Sequence, residues 1–227
     1  MAAPEQVTLQ RIVDLADLDL RSFLESEIRS PRLTPDEARE LLLEVLPGWV
    51  EPYENASATV AADLYEQKRF AAEVDRAVPY KTVLAPPADK ARWGILASWA
   101  TSFVEVEADW AAAFQKIVGG AHRTIADAHR NTTMRNATLD PASRGWKRVG
   151  SGSSTCEFCK MLIGRGTVYK EATVKFRSHD NCRCGAASEF HSVGSAEMKA
   201  FERSARKSAW SDEQREEELA RVREWLL

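Results

Sequence analysis

Residues 156–184 read CEFCKMLIGRGTVYKEATVKFRSHDNCRC and hold all four cysteines of the 227-residue chain. Five side chains in this stretch can bind a metal ion, namely Cys156, Cys159, His179, Cys182 and Cys184. A CxxC turn lets two thiolates converge on one ion, and structural zinc takes four Cys or His ligands in a tetrahedron. Cys182 and Cys184 can both contribute, because alternate residues of an extended strand point to the same side. The spacing offers five candidates for four positions and leaves the choice open, notably between His179 and Cys184.

Disulfides, free thiols and a redox pair are the alternatives to zinc. The N-terminus does not resemble a signal peptide, so we expect a reducing cytoplasm, where disulfides are rare. A redox CxxC normally opens a helix in a βαβ unit, and the surrounding pattern does not predict such a unit. These arguments favour zinc.

The residues between the two cysteine groups predict a small folded module. Gly164–Gly166 is typical of a turn, and Thr167–Tyr169 favours a strand, so we expect a hairpin between the cysteine groups. A unit with so few apolar residues usually needs a metal or disulfides to fold. The predicted zinc is therefore structural. Four protein ligands leave no open position for a catalytic water, whereas three would leave one.

Charge is unevenly distributed along the chain. The net charge is -3, which gives no overall argument for nucleic-acid binding. Residues 141–184, however, contain nine cationic and only three anionic side chains. Such a patch can dock onto phosphates or an acidic protein surface, and we name Arg165, Lys175 and Arg177 as candidate partner-binding residues. Alternatively, the cations offset the charge of the thiolates.

Apolar residues recur at helical spacing through most of the chain. They predict an antiparallel bundle with helices over residues 7–28, 35–46, 49–78, 89–103, 110–118 and 123–136. Thr34 and Glu37 form a capping-box pattern at the second start, and breaks are expected at Pro47–Gly48 and Gly119–Gly120. Pro86–Pro87 marks a linker.

Three further features complete the expected organisation. His122 and His129 lie two helical turns apart, too far to share an ion, and are expected to be surface histidines. Trp146 is expected to anchor the metal module to the bundle. Residues 195–227 predict a last helix whose apolar end, Trp225, Leu226 and Leu227, either binds a partner or packs back on the bundle.

The predicted fold class is mainly α. It comprises a helical bundle (1–138), a small α+β module held by a Cys/His zinc knuckle (139–190) and a C-terminal amphipathic helix (191–227). With 44% hydrophobic residues the chain can bury a core. No apolar run approaches the roughly 18 residues that a membrane-spanning helix requires, so we expect no membrane partner.

Several segments together resemble the Mu F-like minor head proteins of tailed bacteriophages, especially the form found in phages of actinobacteria. They are AADLYEQKR (61–69), VPYKTVLA (78–85), RWGILASWA (92–100), SRGWKRVGSGSSTCEFCKMLIGRGTVY (143–169) and FRSHDNCRC (176–184). The resemblance covers most of the chain up to about Phe190, and the cysteine and histidine block is its specific part. Relatives often carry an aromatic residue where this chain has Leu64.

The resemblance implies a virion component made in the host cytoplasm during head assembly. It would be present in few copies in the head interior or at the portal vertex, with the portal or major capsid protein as partner and packaged DNA nearby. The family pattern falls on the same five candidate metal ligands. It implies no small-molecule substrate.

We expect a structural protein, and an enzyme is the alternative class. A capsid maturation protease would need a nucleophile motif, which the sequence lacks, although triads are defined by geometry. An HNH-like nuclease would be built around His179, Asp180 and Asn181. Phosphodiester hydrolysis needs a general base beside a cation with an open position, and this cluster offers few side chains for both tasks.

Overall fold

The computed structural model describes residues 4–28, 33–74, 78–107, 109–150, 155–167, 169, 176 and 178–190. Within them the fold is mainly α, as predicted, with five α-helices and a two-stranded sheet. The chain divides into two compact units, Met1–Gly194 and Ser195–Leu227. The second unit, and with it the predicted C-terminal helix, lies outside the described residues. The predicted boundaries at residues 138 and 190 remain predictions.

The helices and strands of the first unit follow one another in a simple order. The helices are α1 (Pro4–Phe23), α2 (Pro35–Ala71), α3 (Ala91–Glu107), α4 (Trp110–Leu139) and α5 (Glu157–Ile163), and the strands are β1 (Ser143–Val149) and β2 (Gly185–Phe190). A π-helical turn, Leu24–Ile28, continues α1. None of the described helices is both long and apolar enough to cross a membrane.

Helix α2 begins as predicted and then runs further than predicted. The Thr34 hydroxyl accepts from the Glu37 N–H at 3.3 Å, and the Glu37 carboxylate accepts from the Thr34 N–H at 2.8 Å. The expected break at Pro47–Gly48 is wrong, because α2 passes through Pro47 and Pro52 and ends at Ala71. An internal proline removes one helical hydrogen bond. Leu42, Leu46 and Val50 are buried on both sides of Pro47, and their packing outweighs that loss.

The expected break at Gly119–Gly120 is also wrong, since α4 is one helix of 30 residues. Both glycines permit close approach by a neighbour. A Cβ atom on Gly120 would lie 2.5 Å from Leu96 Cδ1 of α3. A Cβ atom on Gly119 would lie 3.1 Å from Nδ2 of Asn181, in the loop before β2. The glycines therefore allow contacts on two sides of a continuous helix.

Helices α1 to α4 enclose a core of aliphatic and small side chains. Its buried members include Leu9, Val13, Leu20, Leu42, Leu46, Val50, Leu96, Ala97, Ala100, Ile117, Ala121 and Ile125. Alanine-rich faces let α2 and α4 approach closely. At that contact the Ser57 hydroxyl donates to the Ile125 carbonyl at 2.8 Å. We call this set the bundle core.

The segment between α2 and α3, which contains the predicted linker Pro86–Pro87, is pinned to the helices by polar side chains. The Val83 N–H donates to Asn136 Oδ1 at 2.9 Å, and the Ala85 N–H donates to the Thr132 hydroxyl at 3.0 Å. The Ala88 N–H donates to Glu54 at 2.7 Å, and burial raises the pKa of that carboxyl. Hydrogen bonds to side chains thus satisfy backbone groups that would otherwise need a neighbouring strand.

A buried ion pair fixes the end of α4. Arg69 Nε donates to Asp140 Oδ2 at 2.7 Å, with the two side chains 1% and 0% exposed. The Tyr65 hydroxyl donates to the same oxygen at 3.1 Å, and burial, followed by the Asp140 charge, raises the pKa of Tyr65. The Ala142 N–H donates to Oδ1 at 2.9 Å. The chain therefore enters β1 in a fixed direction.

Strands β1 and β2 pair antiparallel, with Trp146 opposite Ser188 and Val149 opposite Gly185. The described strands lie outside the cysteine groups, one before and one after. The hairpin predicted between those groups falls largely on residues outside the described ones. Tyr169 adds an isolated bridge to Trp146. Trp146 is 2% exposed and shares a second core cluster with Tyr65 of α2 and Ala137 of α4. It occupies the position expected of an anchor.

Candidate metal centre

The pairing of β1 with β2 brings the two cysteine groups together. Strand β1 ends seven residues before Cys156, and β2 begins directly after Cys184. Cys156 is the N-cap of α5, with its sulfur accepting from the Cys159 N–H at 3.4 Å. The CxxC pair therefore opens a helix. That helix is seven residues long, and the described strands are antiparallel, so no βαβ unit surrounds it.

Three buried sulfurs form the centre of the cluster. Those of Cys159, Cys182 and Cys184 all lie within 4.8 Å of one another, close enough to hold a metal ion. The Cys159 and Cys182 sulfurs are 3.8 Å apart. Two zinc–sulfur bonds of about 2.3 Å at a tetrahedral angle separate their sulfurs by about 3.8 Å. A disulfide needs about 2.05 Å, and all four cysteines are free.

Cys156 and His179 lie together beside these three sulfurs. His179 Nε2 is 3.3 Å from the Cys156 sulfur, and His179 Nδ1 is 2.7 Å from the Asp180 carbonyl oxygen. His179 is exposed, whereas Cys156 is half-buried. The sequence left the choice between His179 and Cys184. In the structure Cys184 belongs to the cluster, and the remaining alternatives are Cys156 and His179.

The pKa values of the thiols reflect their crowding. Contact with Cys182 raises the pKa of Cys159 strongly, and the same contact lowers that of Cys182. Contact with Cys159 lowers the pKa of Cys184, but contact with Cys182 and burial outweigh this effect and raise the pKa to about 11. Burial raises the pKa of Cys156, but contacts with His179 and the Cys159 N–H bring it below its ordinary value. A divalent cation would allow all four to ionise.

Arg148 of β1 lies against the cluster. It is 2% exposed, and its Nη1 donates to the Cys159 sulfur at 3.3 Å. Its guanidinium carbon also lies 3.6 Å from the centroid of the Phe176 ring. Trp146 stacks on the other rings of this region, with centroids 4.6 Å from Tyr169 and 5.8 Å from Phe176. One of the cations counted in the sequence therefore offsets thiolate charge instead of facing solvent.

Arg130 connects the centre to α4. This fully buried side chain donates from Nε to the Cys184 carbonyl at 2.8 Å and from Nη2 to the Cys182 carbonyl. Its Nη1 pairs with Asp127 at 2.8 Å, and Asp127 also accepts from Ser178 at 3.0 Å. The loop carrying the second cysteine group is thus held by side chains of a bundle helix.

Most of the candidate partner-binding residues lie in parts of the chain that the structure does not describe. Arg165 is exposed, and Lys147 and Lys160 pair with Glu189 and Glu157. The other candidate partner-binding residues, Lys175, Arg177, Trp225, Leu226 and Leu227, lie outside the described residues. The part of the basic surface that the structure describes is therefore partly neutralised by ion pairs.

The residues of the nuclease hypothesis are engaged in other contacts. Asp180 pairs with Arg123 of α4 at 3.5 Å. Asn181 has a positive φ of 60° and packs against Gly119. Asparagine tolerates this left-handed conformation better than most residues. His179 uses both ring nitrogens as described above. These contacts hold the loop on α4.

The prediction that His122 and His129 are surface histidines is wrong. They are 8% and 0% exposed. His122 Nε2 lies 3.2 Å from Asp17 Oδ1 of α1, and burial lowers the pKa of His122. Burial, with a contribution from the Arg130 charge, lowers the pKa of His129 to about 4. Both side chains are buried between α4 and its neighbours, because α4 is packed on more than one side.

Sequence reasoning missed the two buried arginines as members of the centre. The excess of cations near the cysteines was a signal for Arg148, which lies 11 residues from Cys159. Arg130 gave no comparable signal, since 54 residues separate it from Cys184 and it lies on a helix that reads as polar. Only the pairing of distant segments reveals its contacts.

The fold and the centre together define a mainly helical protein in which a cysteine cluster able to hold a metal ion joins a small sheet to a helical bundle. The chain belongs to the VG15 protein family, whose family model matches residues 3–216. That name suggests a viral gene product. No curated protein and no solved structure gives a significant match.

Proposed function

We propose that this chain is a structural minor head protein of a tailed bacteriophage, with one structural zinc ion in its cysteine centre. The observation that carries the proposal is that cysteines from two separate segments of the chain lie in one cluster. The two segments are SRGWKRVGSGSSTCEFC and FRSHDNCRC, on which the Mu F-like resemblance chiefly rests. Their cysteines come together in one cluster, and membership of the VG15 family agrees with a phage gene product.

Zinc suits the donors of this centre. Thiolates are soft ligands that select zinc over magnesium or calcium, and a tetrahedral site accommodates the 3.8 Å sulfur separation. When bound, the ion would cross-link the start of α5 to the loop before β2. Cysteine ligands that are buried and backed by hydrogen bonds suit a structural role, because they leave little access for a reacting water.

The same geometry supports a non-enzymatic role. Asp180 is paired with Arg123, and Asn181 packs against α4, so neither is presented as a general base beside an open metal position. In this proposal the protein acts by binding the portal protein or the major capsid protein, in contact with packaged DNA. It would reside in the head interior or at the portal vertex.

Mass spectrometry of purified phage particles tests the virion role. We expect this chain in gradient-purified heads at few copies per particle, and retained after tails are removed. A chain abundant in infected cells but absent from particles would overturn the proposal.

Purified chain assayed with duplex DNA and with capsid precursor, in the presence of zinc, should cleave neither. Cleavage lost on His179→Ala would instead support the enzyme class.

A further inference from the structure

The fourth position of the metal centre can be assigned from the contacts around the three buried sulfurs. Cys159, Cys182 and Cys184 provide three vertices of a tetrahedron. In a site with four protein ligands the fourth vertex comes from a donor beside them, and Cys156 and His179 are the two candidates in the described residues. This inference rests on the zinc proposed above and concerns which side chains hold it.

The sulfur of Cys156 is directed toward the cluster by the backbone. It accepts the Cys159 N–H at 3.4 Å, and the two thiols also interact with each other. An N-cap side chain that accepts this bond is fixed over the first turn of its helix. Cys159 lies in that turn and is fully buried. The two sulfurs of the CxxC pair therefore both lie at the first turn of α5, beside the buried cluster.

His179 contacts the centre at its outer edge, through the Cys156 sulfur. A carbonyl oxygen is an acceptor only, so the 2.7 Å approach of the Asp180 carbonyl requires a hydrogen on Nδ1. Nε2 then faces the Cys156 sulfur at 3.3 Å. The ring is exposed, on the solvent side of a half-buried cysteine. Beside a Cys156 thiolate, which can only accept, Nε2 must also carry a hydrogen, so the ring would donate to this sulfur and orient it as an outer-shell partner does.

The surrounding charges fit a four-thiolate centre. Zinc with four thiolates carries two negative charges, and buried charge must be compensated. Arg148 donates to the Cys159 sulfur, and Arg130 donates to the carbonyls of the second cysteine group. Asp127, which pairs with Arg130, is shared with Arg92 and Arg123, at 3.5 and 3.8 Å. The centre therefore lies in a positively charged part of the fold.

We infer that the metal is held by the thiolates of Cys156, Cys159, Cys182 and Cys184, and that His179 is a positioning residue bonded to Cys156. The site is thus a four-cysteine site. The short α5 helix with its N-cap and the loop before β2 each supply two ligands. His179 tunes the centre from outside and leaves all four metal positions to sulfur.

X-ray absorption on the zinc-loaded 227-residue chain tests this assignment. We expect a shell of four sulfur atoms at about 2.3 Å with no imidazole scattering. His179→Gln should keep one zinc per chain and the four-sulfur shell, with affinity reduced roughly 10- to 100-fold, as for other outer-shell changes. Cys156→Ser should show three sulfurs and one lighter atom. Lys160→Gln, an exposed change on the same helix, is the matched control.

Cobalt substitution supplies a second readout if Cys156→Ser does not fold. The thiolate-to-cobalt charge-transfer band of wild type and His179→Gln should have equal intensity per metal. A wild-type shell of three sulfurs and one imidazole nitrogen would overturn the four-cysteine assignment while leaving a zinc centre in place. Failure of the wild-type chain to bind zinc would overturn the metal itself. Neither result bears on the presence of the chain in phage particles, which is measured separately.

Discussion

The bundle core and the cysteine centre are adjacent in the fold but are stabilised in different ways. The bundle core buries aliphatic and alanine side chains from four long helices, and each helix is buried over many residues. The second cluster contains three buried cysteines and several aromatic rings, most of them from short elements and loops. Arg148 of β1 and Arg130 of α4 donate hydrogen bonds to its cysteines. Apolar burial scales with area, so the short elements gain little from it. The difference implies one region that folds by packing and one that folds by ligation.

Loss of the metal should separate the two regions most clearly. Chelation, or Cys159→Ser, should destabilise residues 143–190 by on the order of 10 kcal/mol of binding energy, as in small zinc domains. Hydrogen exchange should rise in β1, α5 and β2, while α2 and α4 stay protected. Met161→Ala, an exposed change on α5, is the control. Equal loss of protection in α2 would show that the bundle also depends on the metal.

The Arg69–Asp140 pair lies at the junction of the two regions. Asp140→Ala leaves the Arg69 guanidinium buried without its carboxylate, and breaking such a pair costs about 3–5 kcal/mol. Urea unfolding of the zinc-loaded protein should report this loss. Asp36→Ala removes the surface pair with Arg39, whose side chains are 74% and 37% exposed, and should cost less than about 1 kcal/mol. Similar losses in both variants would contradict the assigned role of burial.

Acid should weaken the bundle through His129. Burial lowers its pKa to about 4, against about 6.5 in the unfolded chain, so the unfolded state binds more protons between these values. The contribution of neutral His129 to the free energy of unfolding is fully present above pH 6.5. It falls as the pH approaches 4, by up to about 3 kcal/mol. Urea unfolding at pH 7.5 and pH 5 should show a smaller acid loss for His129→Leu than for wild type. Acid release of zinc affects both proteins, so the difference isolates His129.

The smallest expected effect concerns two glycines of the bundle. Gly48 lies inside α2 with open space where a Cβ would be, so Gly48→Ala should stabilise by about 0.5–1 kcal/mol. Gly120→Ala brings the same gain in helix propensity but places a methyl group 2.5 Å from Leu96 Cδ1. The Leu96 side chain must then move to make room. Thermal melting should therefore rank Gly48→Ala above Gly120→Ala. The reverse order would mean that α3 does not pack closely on α4.

Local sequence signals predicted the features that depend on neighbouring residues. The capping box at Thr34, the mainly helical class and the grouping of cysteines follow from short-range spacing. The two internal helix breaks were wrong for the same reason. Pro47 and Gly119–Gly120 disfavour a helix locally, but the packing of α2 and α4 against their neighbours outweighs that preference.

The sequence by itself determined that this chain is helical, that residues 156–184 carry a metal-binding pattern, and which five side chains are candidates. Only the tertiary structure decided which of them meet, because the pairing of β1 with β2 brings Cys184 beside Cys159. It alone placed Arg130 on the Cys182–Cys184 loop and buried His129. Spacing along a chain specifies local geometry, whereas contacts across more than 50 residues depend on how the helices pack.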